Sequence, residues 1–254
     1  MSTDIPRLDQ TFKKGAKVPY GYSLIYCNPI STEDELGMDG FDNYHAPTNE
    51  NTDLFRRRMW VAGSFTYNTN NPLRFGDDVS FTETVAKIQQ YKQFQQIGID
   101  YKRVYSINSQ PSVTETRRLY YIQSKYETEW PPLTEDLAPD SSITVTPSRV
   151  GVFRASALVF NSHLIHYNPT YALEEENYPN IVVSAPLQIL MALQYWHTKH
   201  STADLLSFRY KILSPSFVDS ELNICTKKLT ATSHKLWMTT KDNRVCFTSK
   251  LVTA

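Results

Sequence analysis

A chain of 254 residues with 41% apolar and 13% aromatic residues can close a substantial core without disulfides or metals, and it is too apolar to stay unfolded. Its 26 basic residues are balanced by 26 acidic ones, so no long-range field favours nucleic acid, and the partners expected are neutral or locally charged. Cys27, Cys225 and Cys246 are odd in number and far apart, which argues against a disulfide framework or a zinc site and fits a reducing compartment; Cys225 and Cys246 read as buried strand residues.

The first seventeen residues carry Arg7, Lys13, Lys14 and Lys17 together with Asp4 and Asp9, a poor amphipathic presequence. Residues 1–53 are rich in Asn, Asp, Pro, Gly and Thr and read as loops with short pieces of structure. From Arg58 onward the texture changes: 59–67, 78–90, 94–108 and 116–126 alternate β-branched or aromatic residues with polar ones, the pattern of half-buried antiparallel strands. Turn signals at Asn70-Asn71-Pro72, Gly76-Asp77-Asp78, Gly98 and Gln110-Pro111-Ser112 separate them, and only the glutamine-rich stretch 85–96 suits strand and helix equally. Pro131, Pro132, Pro139 and Pro147 fall in 129–148 among acidic and hydroxyl residues, which predicts an extended linker between a first unit, 54–128, and a second, 149–254.

The second unit reads as a short strand at 151–156, a polar loop at 161–179, a helix at 185–199, and strands near 205–213, 221–230, 235–239 and 244–253. The helix is apolar around most of its circumference, with Leu187, Ile189, Leu190, Met191, Leu193, Tyr195 and Trp196, so a sheet is expected to wrap it. Ser184 is a cap candidate, Pro186 suits the first turn, and Lys199 with His200 suits the negative C-terminal end. No apolar run approaches the ~18 residues of a membrane span; the most apolar stretch, 181–196, is broken by Ser184, Pro186 and two glutamines.

Between the short strand and the helix lie His163 and His166. Chemically they form a proton-transfer pair ahead of a helix N-terminus, whose free N–H groups and positive dipole end can receive a developing oxyanion. The plainer reading is a structural or surface pair. Zinc lacks further ligands nearby. Glu174, Glu175 and Glu176 read as a solvated run, while Arg56, Arg57 and Arg58 suit either a carrier's phosphates or a solvent-facing cluster. His197, His200 and His234 read as helix-end and strand residues without a chemical role.

The run Phe160-Asn161-Ser162-His163-Leu164-Ile165-His166-Tyr167, then Tyr178-Pro179 and Val182-Val183-Ser184-Ala185-Pro186-Leu187, resembles the second half of the mitochondrial 3-hydroxyacyl-thioester dehydratases of type II fatty acid synthesis, within the MaoC-like, R-specific hydratases. Arg57-Arg58-Met59-Trp60 leading to Gly63, with Pro72-Leu73-Arg74-Phe75-Gly76-Asp77, resembles the first half of the same proteins, and the likeness spans about 54–250. It implies an α+β, double hot-dog fold: two antiparallel sheets each wrapping a helix, the first helix short or degenerate. It also implies reversible dehydration of (3R)-hydroxyacyl thioesters of acyl-carrier-protein or CoA, without a cofactor, in mitochondria.

By the resemblance His166 occupies the catalytic histidine position, and a histidine titrating near neutrality can shuttle protons there; Asn161 stands where the wider group has an aspartate, and His163 stands where that group has a helper asparagine. Backbone amides around Ser184, Ala185 and Leu187 would receive the thioester oxygen, while Arg58 and Trp60 fall among the substrate-binding residues. The chain departs from the subgroup at Leu164, at Asn168 and at Ser184-Ala185, where the subgroup has arginine, aspartate and His-Gly. Those departures keep open a catalytically weak paralogue that binds acyl carriers or scaffolds a complex; a hot-dog thioesterase would need a carboxylate in place of Asn161. Two halves in one chain can pair as a pseudo-dimer, with a homodimer also compatible.

Overall fold

The computed structural model describes residues 12–50, 52–92, 95–127 and 137–254. Residues 12–50 and 52–56 are mostly loop, with 3-10 turns at Tyr22–Ile25 and Glu33–Glu35 and a two-stranded ribbon of β1 (Thr48–Asn49) and β2 (Thr52–Asp53). The alternating segments then form β3 (Arg57–Tyr67), β4 (Ser80–Tyr91), β5 (Gln96–Ile107) and β6 (Gln110–Ile122), all antiparallel where they pair. The ambiguous glutamine-rich stretch is therefore strand through Tyr91, and pairing resumes at Gln96.

In the second half β7 (Ser141–Val145) is followed by α1 (Arg149–Leu158), the long loop, α2 (Ala185–Lys199), and the strands β8 (Leu205–Ile212), β9 (Leu222–Lys228), β10 (Ser233–Thr240) and β11 (Val245–Thr253). Two expectations change here. Part of the 129–148 segment is not extended linker but edge strand β7, hydrogen-bonded to β9; residues 129–136 lie outside the described residues. The strand expected at 151–156 is instead helix α1, because Ser148 takes an extended N-cap conformation and its hydroxyl accepts the Gly151 N–H at 3.0 Å.

The expected pair of sheets is joined edge to edge. Nine strands run in the order β4-β5-β6-β3-β8-β11-β10-β9-β7, and the halves meet where β3 pairs with β8 from Ala62↔Lys211 to Thr66↔Ser207. Gly63 makes this junction: a side chain there would collide with the Thr116 carbonyl and the Tyr210 hydroxyl. Aromatic side chains stack along the same face across the junction, with Phe65 against Phe208 and Tyr210, and Tyr210 against Phe247.

Helix α2 lies in this concavity. Ile189, Ala192, Leu193 and Trp196 are fully buried against residues from both halves of the sheet, which is why the helix is apolar nearly all round. Cys225 and Cys246 are buried strand residues on β9 and β11. In the first half no α-helix occurs among the described residues; there the 3-10 turn at Tyr22–Ile25 places Leu24 in the core.

Candidate active site

The loop between α1 and α2 is held by short-range backbone bonds. Asn161 turns the chain, its side-chain oxygen accepting the His163 N–H at 3.0 Å, and a 3-10 turn at Leu164–His166 follows. His166 is thereby aimed at the extended segment entering α2: its Nδ1 donates to the Val182 carbonyl at 2.9 Å, while the Val182 N–H donates to Ile165 O at 3.0 Å. A carbonyl can only accept, so the proton sits on Nδ1 and Nε2 keeps its lone pair.

His163 packs edge-on against His166 with ring centroids 5.5 Å apart. Both rings are buried, at 8% and 6% exposure. Burial pushes His166 down to about 3, the neighbouring His163 adding to the effect and the Val182 hydrogen bond opposing it. Burial likewise brings His163 down to about 4, with Asp39 opposing and Arg58 assisting. The expectation of a histidine titrating near neutrality is thus corrected: desolvation leaves both rings neutral at pH 7.

A cleft walled by residues of both halves adjoins the pair through Phe41, which packs on His163, and through Asn161; neither histidine itself lines it. Asn161, Trp60 and Pro186 line it, together with Phe160, Asp42 and Arg117. Asn161 has spent its oxygen on the loop, so the hydrogen-bonding groups it has left to offer at the cleft wall are its amide N–H donors. Trp60 is held by its indole N–H to Tyr210 Oη at 2.8 Å and by Arg117 lying 4.5 Å over its ring.

The α2 N-terminus reaches the cleft through Pro186, which has no N–H, so Ala185 and Leu187 carry the neighbouring free amides of the first turn. Ser184 takes the N-cap backbone conformation without a side-chain cap bond; its buried Oγ has no partner among the described residues. The Leu187 side chain turns away to pack on Val152, Ile181, Val183 and Val218.

Arg58 is not where a carrier's phosphates could reach it. Its Nε and Nη2 clasp Asp39 at 2.8 and 3.2 Å, and its other donors bind Asp42 O and Asn43 Oδ1 at 2.6 and 2.8 Å. Arg57 is equally committed, to Glu176, Gln123 O and Glu175 O, so neither of these two is solvent-facing or free for phosphate, and Arg56 is the exposed member of the run. That pairing also removes Glu176, 5% exposed, from the solvated acidic run.

Asp39 is the site residue that the sequence did not single out. It is 3% exposed, and its Oδ2 lies 3.6 Å from His163 Nε2 as well as on Arg58. Asp42 is a second buried carboxylate, with Oδ1 unpartnered among the described residues, on the cleft wall. The available signal was Gly37-Met38-Asp39-Gly40-Phe41-Asp42, two acids around a glycine in a segment otherwise read as loop. Beyond them a closed network of Tyr44, His45, Glu83, Arg103, Glu115 and Arg117 backs the cleft; Arg103 Nε is 2.7 Å from Glu83 and Tyr44 Oη donates to Glu83 at 2.5 Å. No group of three His, Cys, Asp or Glu among the described residues is placed to hold a metal. No helix there is long and apolar enough to cross a membrane.

The family model for hydroxyacyl-thioester dehydratase type 2 matches residues 21–218, taking in the turn with Asp39, the cleft and both histidines. The chain belongs to that family. Within the type 2 dehydratases it is 29% identical over 231 residues to the mitochondrial hydroxyacyl-thioester dehydratase type 2 of Schizosaccharomyces pombe, covering 81% of this chain and 76% of that protein. The solved fold of a MaoC-like dehydratase from Phytophthora capsici matches with a TM-score of 0.65 at 10% identity, over 84% of this chain and 75% of that one. HtdX from Mycobacterium tuberculosis matches at 0.64 and 11% identity, over 78% and 77%. These likenesses identify the nine-stranded sheet with its buried α2 as the double hot-dog fold.

Proposed function

We propose that this chain catalyses the reversible dehydration of (3R)-hydroxyacyl thioesters to trans-2-enoyl thioesters, carried on acyl-carrier-protein or CoA, as a step of mitochondrial fatty acid synthesis. The observation that carries the reading is His166: a buried, neutral imidazole whose Nδ1 is pinned to Val182 O, two residues before the α2 N-cap, so that Nε2 keeps its lone pair as a base. Family membership and the mitochondrial relative support the reaction class and the compartment.

In the dehydration direction the thioester oxygen accepts hydrogen bonds from the α2 first turn, a contribution of about 3 kcal/mol for one such donor. His166 Nε2 removes the proton at C2, and the C–H electron pair moves into the enolate. The C3–O bond then breaks as the same proton passes from His166 to the departing hydroxyl. Water leaves, C2=C3 forms, and the imidazole returns to neutral. Asn161 cannot exchange protons at this pH, so its amide holds the hydroxyl in line. Residues 149–254 supply this chemistry, residues 54–128 wall the cleft around the acyl group, and the two halves act as a pseudo-dimer in one chain.

Purified protein should hydrate crotonyl-CoA, read as loss of the enoyl-thioester absorbance. His166→Ala should abolish that loss while leaving the circular dichroism spectrum and melting temperature near those of the parent. A folded but inactive parent protein would sink the enzymatic reading in favour of a paralogue that binds acyl carriers.

A further inference from the structure

Asp39 comes from a turn far from the histidine loop in sequence, yet the two are fastened together. Ser162 Oγ donates to Gly40 O at 2.5 Å, and Leu164 N–H donates to Asp39 O at 2.8 Å. Gly40, at φ +77°, lets the backbones approach this closely, since a Cβ there would sit 2.7 Å from Ser162 O. The effect is to hold one carboxylate, 3% exposed, against His163.

From this geometry we propose that Asp39 is a positioning residue for catalysis, acting through His163 to supply the negative charge that Asn161 does not provide. The inference rests on the dehydratase reading above. An ion pair serving only to fix the turn would need Arg58 alone: that guanidinium already holds Asp42 O and Asn43 Oδ1. What folding does not require is that the Asp39 oxygen on Arg58 Nε also faces His163 Nε2 at 3.6 Å. The charged and titratable groups around His163 are Asp39 and Arg58 from the first part of the chain and His166 from its own loop.

When the C2 proton arrives on His166, positive charge appears in a dry site that favours neutral rings. Asp39 offsets it across His163, and by fixing the His163 ring it fixes the edge against which His166 rests. No proton is transferred to Asp39. The proton goes from C2 to His166 and then to the leaving hydroxyl, as before.

The test is Asp39→Asn, with crotonyl-CoA hydration followed from pH 3 to 8, a range that includes the acid limb of both histidines. The variant should lose activity about tenfold or more, with the loss in kcat and KM nearly unchanged. Its kcat/KM should also hold to lower pH than the parent's, because the group that raises His163 is gone and Arg58 remains. If leaving Arg58 unpaired prevents folding, the charge-balanced Asp39→Asn/Arg58→Gln double variant should show the same loss of kcat without the pH shift, because the groups that raise and lower His163 are then both gone. A folded variant with parental kcat and pH profile, or activity lost only in proportion to folded protein, overturns the role. An inactive parent protein overturns the reading beneath it, a result separable from either.

Discussion

His163 and His166 set the acid limit of this protein as well as its chemistry. An unfolded histidine titrates near 6.5, whereas burial holds these at about 4 and about 3, so between those values the unfolded chain binds more protons than the folded one. Stability is therefore complete above pH 6.5 and declines as pH falls toward the folded values, by about 1.4 kcal/mol per pH unit for each histidine. Urea midpoints should drop between pH 7 and pH 5, and His166→Gln should show a shallower drop than the parent. A midpoint that stays level or rises over that interval would show the rings to be solvated. The pair itself was legible as a motif. Its neutrality was not, because desolvation depends on what the fold stacks over the loop.

Strands β3 and β8 meet on a glycine, and that choice has a measurable consequence. Tyr210 crosses the space a side chain at Gly63 would fill, and its hydroxyl accepts the Trp60 indole N–H at the cleft wall. Gly63→Ala should cost about 1–3 kcal/mol by overpacking, seen as a lower melting temperature with a change in tryptophan emission as Trp60 loses its acceptor. An unchanged melting curve would mean that both Tyr210 and the Thr116 backbone yield easily. Helix α1 shows the opposite limit of pattern reading. Only Val152, Ser156 and the following Val159 turn inward with helical spacing, while Val150, Phe153 and Leu158 stay exposed and blur the period into a strand-like run. Helix α2, buried on all sides, left no such confusion.

Both halves of the chain share one sheet and one core. Phe65, Tyr105 and Val113 pack with Phe208, Phe247 and Trp196, and the cleft takes Trp60 and Arg117 from the first half and Asn161 and Pro186 from the second. Unfolding one half would strip the other of its central strand partner and of its share of the helix cover. A single calorimetric transition is expected, with calorimetric and van't Hoff enthalpies in agreement. Two resolved transitions would mean that the β3–β8 joint contributes little.

Short-range regularities fix much of this molecule, whereas β7 and α1 escape such a reading: alternation places β3 to β6, all-round apolarity places α2, and the motif around residues 160–187 singles out His166, His163 and Asn161. Those features depend on neighbours a few positions away, so a linear reading reaches them. Asp39 beside His163, Arg58 withdrawn from any phosphate, and the depressed histidines were decided by tertiary structure alone. Burial and Coulomb energies are sums over everything within several ångströms in space, and at this site the deciding groups are brought in by a turn more than a hundred residues earlier in the chain.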